Sequence, residues 1–281
     1  MAQTMEKFSF HKYSGHGNDF VIIDNWNGQV PEAEQARVSQ LLSRQKFGIG
    51  ADGVVFIGSG PEEVDFAVRF FNSDGSEADM CGNASRCVAH LAHYVNIATA
   101  NMTFKTKAGI VESLVKDKYV SVQLPKISRP EGAALVDVEG FSQTYYRINT
   151  GVSHAVAFLD ELDNLNVNKI GRVVRHHSSF SPEGANVDFV KVVEDNVLDV
   201  RTYERGVEAE TLACGTGVTA ASLLAAHRGL VTGPSVLCHT RGGEDLTVRF
   251  EGSPDAPEKV FLEGAVRHVF SGQVESDIFK K

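Results

Sequence analysis

The chain has 281 residues, of which 42% are hydrophobic and 22% are charged, a composition that argues against a disordered or fibrous protein. The formal net charge of -9 opposes binding to nucleic acid or to anionic lipid, so we expect a small-molecule partner. The sequence has no apolar run of about 18 residues and no apolar signal-peptide region near its start, which predicts a cytoplasmic protein that does not bind membranes.

The first half of the chain predicts a β-rich start followed by a helix, from the alternation and the 3.6-residue spacing of its apolar residues. Two further strands then lead through a glycine-containing turn into an apolar helix, and more strands follow. The predicted segments, in chain order, are KFSFHKYS, DFVIID, the helix PEAEQARVSQLLSRQ, VVFIG, VDFAVRFF, the helix after Cys81, MTFKTKAGIVESLVK and YVSVQL.

The second half predicts the same series of elements again. Its segments are TYYRINTG, HAVAFLD, the helix VNKIGRVVRHH, NVDFVKVV, VLDVRTYE, the helix after Cys214, SVLCHT, LTVRF and VFLEGAVRHVF. Because the connections between neighbouring strands are short, antiparallel hairpins are favoured. We therefore predict an α+β fold with a mixed, mostly antiparallel sheet in each half.

Four short matches between the halves keep the same order and spacing, with offsets between 132 and 136 residues. They pair the segments ending at Asp24 and Asp160, those starting at Gly50 and Gly184, those around Arg69 and Arg201, and those around Cys81 and Cys214. A near-constant offset indicates a duplication. We predict one domain over residues 1–127, to which residues 266–281 are candidates to return, and a second over 128–265, divided where the sequence shifts toward Pro and Gly.

The most similar pieces of the two halves are EADMCGNASRCVAHLA at 77–92 and ETLACGTGVTAASLLA at 210–225. Each predicts a strand, a tight turn and the start of an apolar helix. A helix N-terminus lowers the pKa of a cysteine and presents free N–H groups to a carboxylate. Each turn therefore predicts a base and an anion-binding site together.

Two such cysteines on opposite faces of one carbon suit inversion of a stereocentre. One removes the Cα proton as a thiolate, and the other returns a proton as a thiol. A single cysteine at a helix start is usually a small buried residue, but two in matching turns favour the chemistry. This mechanism needs neither a metal nor a pyridoxal phosphate lysine. Cys87 and Cys238 lack such a context and are expected in the core.

Two other motifs are not expected to bind ligands. GIGADG at 48–53 has the spacing of a dinucleotide-binding loop, but a helix precedes it and a strand follows, which is the wrong order. The four cysteines have no CxxC spacing, and His176-His177 has no further ligand nearby in sequence, so neither predicts a metal site. A solvated helix end is the expected position of the two histidines.

Six blocks spread through the chain resemble the diaminopimelate epimerase family. They are GHGNDF at 15–20, GIGADG at 48–53, FNSDGSEADMCGN at 71–83, ANVDFV at 185–190, YERG at 203–206 and ETLACGTG at 210–217. The resemblance implies two pseudo-symmetric domains, each with a central helix, in a homodimer. It also implies cofactor-independent interconversion of LL- and meso-diaminopimelate, in lysine and peptidoglycan precursor biosynthesis.

The resemblance also assigns site residues by position. Cys81 and Cys214 match the acid/base cysteines, and His154 and Glu204 resemble a pair that assists proton transfer. Gly82, Asn83, Gly215 and Thr216 match the turns that bind the reacting carboxylate. The positions that match further substrate contacts are Asn18, Asn72, Asn186, Glu204 and Arg205.

The residue types support these assignments and also admit simpler ones. Arg205 can bind the distal carboxylate of diaminopimelate through two hydrogen bonds, or can form an ordinary ion pair. Asn18, Asn72 and Asn186 can equally be turn formers. A histidine in a strand, such as His154, is usually packed or hydrogen-bonded within the protein.

The chain departs from the family pattern at three points. It has Val152-Ser153-His154 where Asn-Pro-His is common, Ala84 where Gly is usual, and one additional residue before the second cysteine block. These changes leave open a cofactor-independent racemase of another amino acid, such as histidine or glutamate. Two further alternatives are a thiol redox protein that cycles Cys81 and Cys214 through a disulfide, and a noncatalytic binding module.

Overall fold

The computed structural model describes residues 7–125 and 127–279. Positions 1–6, 126, 280 and 281 of the predicted domain ranges lie outside the described residues. The chain divides into two compact units, Met1–Val122 with Gly264–Lys281 (unit 1) and Gln123–Glu263 (unit 2). The domain boundaries that the sequence predicts lie between residues 127 and 128 and between residues 265 and 266.

Unit 1 begins with a hairpin and contains two helices. Its strands are β1 (Phe8–Gly15), β2 (Asn18–Asp24), β3 (Gly53–Gly58), β4 (Phe66–Asn72), β5 (Glu77–Ala78), β6 (Asn101–Thr106), β7 (Gly109–Lys116), β8 (Tyr119–Gln123) and, from the end of the chain, β18 (Arg267–Val274); its helices are α1 (Glu32–Ser43) and α2 (Gly82–Tyr94). A 3-10 turn at Ser276–Phe279 follows β18.

Unit 2 repeats this series. Its strands are β9 (Ala133–Val138), β10 (Phe141–Asn149), β11 (Ser153–Phe158), β12 (Asn186–Glu194), β13 (Val197–Glu204), β14 (Ala209–Glu210), β15 (Ser235–Thr240), β16 (Asp245–Ser253) and β17 (Ala256–Ala265); its helices are α3 (Val167–Arg175) and α4 (Gly215–His227). The predicted helices and strands are thus confirmed. None of the helices described is both long and apolar enough to span a membrane.

The strand orders of the two units are the same. Unit 1 has the order β18-β1-β2-β3-β4-β6-β7-β8, in which β2–β3 and β4–β6 are parallel and the other neighbours are antiparallel. Unit 2 has β9-β10-β11-β12-β13-β15-β16, with parallel pairs β11–β12 and β13–β15 at the matching places. The predicted mixed, mostly antiparallel α+β fold is confirmed.

Each sheet has one helix packed on each of its two faces. One of these two helices is the central helix, which the sheet surrounds. Apolar residues of α1, such as Val38 and Leu42, pack on one face of the unit 1 sheet, and α3 covers the corresponding face in unit 2. The opposite faces pack against α2 and α4. In both central helices nine of the thirteen residues are buried, which is expected of a helix that a sheet surrounds.

Strand register gives residue-by-residue equivalence between the units. His154 pairs with Asn186 in the β11–β12 ladder as Phe20 pairs with Gly53 in the β2–β3 ladder. Asp188 pairs with Thr202 as Val55 pairs with Phe70. The sequence matches that joined Asp24 with Asp160 and Gly50 with Gly184 were therefore wrong by two residues and one residue, because short apolar strands align equally well in neighbouring registers.

Candidate active site

Both cysteine turns have the predicted form of a short strand, a turn and a helix start. Cys81 and Cys214 have extended backbone geometry at the N-cap positions of α2 and α4. Gly82 and Gly215 are the first residues of these helices. The first N–H groups of each helix, which have no acceptor within the helix, therefore lie next to a sulfur, an arrangement suited to binding a carboxylate.

A repeated ion pair anchors each turn to its sheet. The carboxylate of Glu77 accepts from Nε and Nη2 of Arg69 at 2.7 and 3.0 Å, and that of Glu210 accepts from the same atoms of Arg201 at 2.7 and 2.9 Å. The glutamate four residues before each cysteine therefore holds the short strand β5 or β14 against its neighbour.

In unit 1 a chain of hydrogen bonds fixes two of the predicted substrate-binding amides. Arg86 Nη2 donates to Asn83 Oδ1 (2.6 Å), Asn83 Nδ2 donates to Asn18 Oδ1 (2.8 Å), and Asn18 Nδ2 donates to Asp52 Oδ2 (3.1 Å). The structure brings Asn18 and Asn83 together, and their predicted contact with substrate stays a prediction. Arg86 and Asp52 lie at the two ends of this series of hydrogen bonds and determine its donor-to-acceptor direction. The sequence analysis assigned no role to either residue.

Asn72 behaves as the turn former that its residue type also allows. Its backbone N–H donates to the Ser76 carbonyl, and its side-chain amide donates to Ser76 Oγ, each at 2.9 Å. The side chain is hydrogen-bonded within the turn that connects β4 to β5. Its predicted contact with substrate stays a prediction.

The second cysteine turn is more deeply buried than the first. Cys81 is half-buried, whereas Cys214 is only 7% exposed, and its Sγ lies 3.4 Å from Thr216 Oγ1. Burial raises the pKa of the Cys214 thiol, and the nearby carboxylates of Glu204 and Asp188 add to this rise. The expectation of a lowered pKa is therefore wrong for Cys214, because desolvation and negative charge outweigh the hydrogen bonds that the sulfur receives from Thr216 and from the Gly217 N–H at the helix start.

His154 lies in a buried polar cluster beneath the first turn of α4. Its Nδ1 is 2.7 Å from Asp188 Oδ2, and its Nε2 is 3.4 Å from Asn186 Nδ2. Asn186 Oδ1 accepts from the backbone N–H of Arg205 (2.7 Å), and Asp188 Oδ1 accepts from Thr202 Oγ1 (2.7 Å). The structure thus joins three predicted residues, His154, Asn186 and Arg205, through direct hydrogen bonds.

Glu204 and Arg205 end strand β13 beside this cluster. Burial raises the pKa of the Glu204 carboxyl above its usual value of 4.5. Arg205 Nη1 is 3.4 Å from Glu183 Oε2, whose side chain is exposed. The guanidinium therefore forms an ion pair with Glu183, and its predicted contact with a distal carboxylate stays a prediction.

The remaining cysteines and the paired histidines agree with the sequence expectations. Cys87 and Cys238 are fully buried, and burial raises the pKa of each thiol to about 12. His176 ends α3 with an exposed side chain, and His177 Nδ1 accepts from the Ser179 N–H. Within residues 7–125 and 127–279, no group of three or more His, Cys, Asp or Glu side chains is arranged to hold a metal ion.

Sequence reasoning missed Asp188, which is fully buried and contacts both His154 and Thr202. Gly217 was also missed: a Cβ on this residue would overlap Asp188 Oδ1 and lie 2.9 Å from Thr202 Oγ1. A signal was available, because Asp188 is a single acidic residue inside the apolar run Val187 to Val190. A charged residue is seldom fully buried unless it has partners, so an acidic residue in such a run indicates specific hydrogen bonds inside the protein.

Known proteins with similar sequences agree with the resemblance. The sequence model described as diaminopimelate epimerase matches residues 10–127 and 146–269. The diaminopimelate epimerase of Aquifex aeolicus is 42% identical over 284 residues, covering 96% of this chain and 99% of that protein. The diaminopimelate epimerase of Campylobacter jejuni serotype O:2 is 40% identical, covering 93% and 96% of the two chains.

Solved structures with much lower sequence identity share the fold. A hydroxyproline epimerase from Agrobacterium vitis superposes with a TM-score of 0.72 at 16% identity, covering 96% of this chain and 92% of that one. A phenazine biosynthesis protein of Bacillus anthracis has a TM-score of 0.71 at 15% identity, covering 96% and 99%. The family match over most of the sequence, together with relatives of about 40% identity, shows that this chain belongs to the diaminopimelate epimerase family.

Proposed function

We propose that this protein is an isomerase that interconverts LL- and meso-diaminopimelate in lysine and peptidoglycan precursor biosynthesis. The observation that carries the proposal is a cysteine at the N-cap of the central helix in each of two duplicated units. Membership of the family supplies the substrate, because its relatives are named for that reaction.

The reaction that we propose transfers protons without a cofactor. One of Cys81 and Cys214, as a thiolate, takes the Cα proton and becomes a thiol. The other, as a thiol, gives its proton to the opposite face of the carbon and becomes a thiolate, so total charge and proton number are unchanged. Burial near the carboxylates of Glu204 and Asp188 suits Cys214 to be the thiol at the start of the reaction.

Removing a Cα proton places negative charge on the substrate carboxylate. The N–H groups at the starts of α2 and α4 are fixed donors that stabilise this charge, at Gly82 and Asn83 and at Gly215 and Thr216. The hydrogen-bonded amides of Asn18 and Asn186 are the further substrate contacts that we propose. They are preorganised, because each is already fixed by its neighbours in the protein.

Exchange of the Cα hydrogen with deuterated water tests the proposal. LL-diaminopimelate should give meso-diaminopimelate with deuterium at the inverted carbon, without added metal or pyridoxal phosphate. A panel of single amino acids, including histidine and glutamate, serves as the comparison, because Val152-Ser153 replaces the common Asn-Pro. Exchange with a simple amino acid alone would overturn the assignment of substrate.

The assembly and compartment that we propose, a cytoplasmic homodimer, rest on the family resemblance. Light scattering coupled to size-exclusion chromatography should give a mass of about twice the 30.5 kDa of one chain. A mass equal to one chain at micromolar concentration would contradict the dimer. Fractionation of cells that express the tagged protein tests the compartment.

A further inference from the structure

Asp188 stands out because the same fold does without it in unit 1. By strand register and by distance from the cysteine, His154, Asp188, Thr202 and Gly217 are equivalent to Phe20, Val55, Phe70 and Ala84. All four residues of unit 1 belong to one apolar core cluster. A charge that burial disfavours, at a position where the fold accepts valine, indicates a role other than folding.

The hydrogen bonds around His154 determine which ring nitrogen carries the hydrogen. Asp188, as a carboxylate, can only accept, so His154 Nδ1 donates to it. At the other side, Asn186 Oδ1 is engaged by the Arg205 N–H, which turns the Nδ2 group of Asn186 toward His154 Nε2. The hydrogen bonds on both sides of the His154 ring therefore require the hydrogen on Nδ1 and a lone pair on Nε2.

The same hydrogen bonds determine whether Asn186 presents a donor or an acceptor to a ligand. Its oxygen accepts from Arg205, and one of its two N–H groups points to His154 Nε2. One N–H remains, so the amide presents a donor, which suits a carboxylate and not an ammonium group. Reversal of the amide would place an acceptor there and would lose the Arg205 hydrogen bond.

Thr202 and Gly217 explain why Asp188 keeps its orientation. Thr202 Oγ1 donates to Oδ1 of Asp188, which leaves Oδ2 for the histidine. The missing side chain of Gly217 leaves room for the carboxylate beneath the first turn of α4. Negative charge is favoured at that end of a helix, which offsets part of the cost of burial.

We propose that Asp188 is a positioning residue that fixes the His154 ring with its hydrogen on Nδ1 and thereby holds the Asn186 amide with an N–H toward the substrate carboxylate. This role rests on the proposed function, since it concerns the same site. Asp188 acts through His154 and Asn186 and does not itself touch substrate.

Asp188→Asn tests the role with little change in shape. If the new amide keeps its oxygen on the Thr202 hydroxyl, its NH2 group faces His154 Nδ1 and shifts the ring hydrogen to Nε2. We expect nitrogen-15 NMR to show this change of tautomer, with the His154 signal identified by its loss in His154→Gln. We expect KM for diaminopimelate to rise about tenfold or more, the effect of one lost charge-assisted hydrogen bond.

Two matched variants keep the test independent of a folding defect. Thr202→Val removes the donor to Oδ1 and should leave the hydrogen on Nδ1. The double variant Asp188→Asn with Thr202→Val lets the amide turn its oxygen to the ring. The wild-type tautomer should then return, and KM should fall part of the way back to the wild-type value. Thermal unfolding of all three variants serves as the folding control.

The outcomes separate this inference from the proposed function. Hydrogen on Nε2 in the wild type, no tautomer change in Asp188→Asn, or a changed tautomer with unchanged KM would each overturn the positioning role. The NMR measurement needs no turnover. A wild type that shows the expected tautomers but no exchange of diaminopimelate would overturn the proposed function and leave the hydrogen-bond chain standing.

Discussion

The two units share a scaffold and differ in what lies beneath the central helix. Both have the same strand order, the same Arg–Glu pair before the cysteine, and the cysteine at the helix start. Under α2 the equivalent positions hold Phe20, Val55, Phe70 and Ala84, whereas under α4 they hold His154, Asp188, Thr202 and Gly217. The features common to both units therefore serve the fold and the two cysteines, and the polar set belongs to unit 2 alone.

This difference teaches that a duplicated fold can separate stability from function position by position. The apolar set shows what the scaffold accepts when packing alone decides. The polar set retains a carboxylate, Asp188, and a histidine, His154, although both are fully buried.

The largest expected effect is the loss of either N-cap cysteine. Cys81→Ala and Cys214→Ala should each reduce turnover by roughly 10³-fold, because each removes one of two proton-transfer groups. Cys87→Ala and Cys238→Ala are the controls, since both thiols are buried in the core. An epimerisation rate within tenfold of wild type in Cys81→Ala would contradict the proposal that both cysteines transfer protons.

A carboxylate placed in the apolar set should be poorly tolerated. Val55→Asp should lower the free energy of unfolding by about 3–5 kcal/mol, because the new charge has no hydrogen-bond donors comparable to His154 and Thr202. Urea denaturation followed by circular dichroism measures the change, with Val55→Ala as the control for lost volume. An Asp variant as stable as the Ala variant would contradict the comparison.

The reverse exchange should preserve the fold and remove the activity. A variant with His154→Phe, Asp188→Val, Thr202→Phe and Gly217→Ala carries the apolar set of unit 1 in unit 2. We expect its unfolding free energy to stay within about 2 kcal/mol of wild type, because well-packed apolar residues replace buried charges at little cost. Cooperative unfolding without turnover is the expected result, and an unfolded product would show that the polar set is structural.

Gly217 and Ala84 provide a smaller, paired test. Gly217→Ala should cost about 1–3 kcal/mol, because the added Cβ overlaps Asp188 and crowds Thr202. Ala84→Gly removes a methyl group from a helix over an apolar core and should cost about 1 kcal/mol. Only the first substitution should also reduce turnover. Equal loss of activity in both variants would contradict a role for the space beneath α4.

The smallest expected effect is the pH dependence that Glu204 contributes. Its pKa is raised in the folded state, so the folded protein holds this proton more tightly than the unfolded chain does. The contribution to stability is present below about pH 4.5 and is lost as pH rises through the higher folded value. The stability of Glu204→Gln relative to wild type should therefore rise with pH across this window, as chemical denaturation can measure, and a constant difference would contradict the assigned burial.

Much of the fold was predictable because local pattern and duplication agree. Alternating strands, two amphipathic helices and two apolar helices recur in one order, and the structure confirms each of them. The register of the matches was less certain, since a strand that is apolar on both faces aligns nearly as well after a slip. Only hydrogen-bonded ladders distinguish Val55 from Val54 as the equivalent of Asp188.

The sequence by itself determined the family, the two cysteine turns and the helices that begin at them, because tight turns, small residues and helix starts are local features. The tertiary structure decided the rest of the site. It raised the pKa of Cys214 through burial and nearby carboxylates, and it joined Asp188 to His154 between neighbouring strands. Desolvation and cross-strand hydrogen bonds arise from residues far apart in the chain, so no local pattern could reveal them.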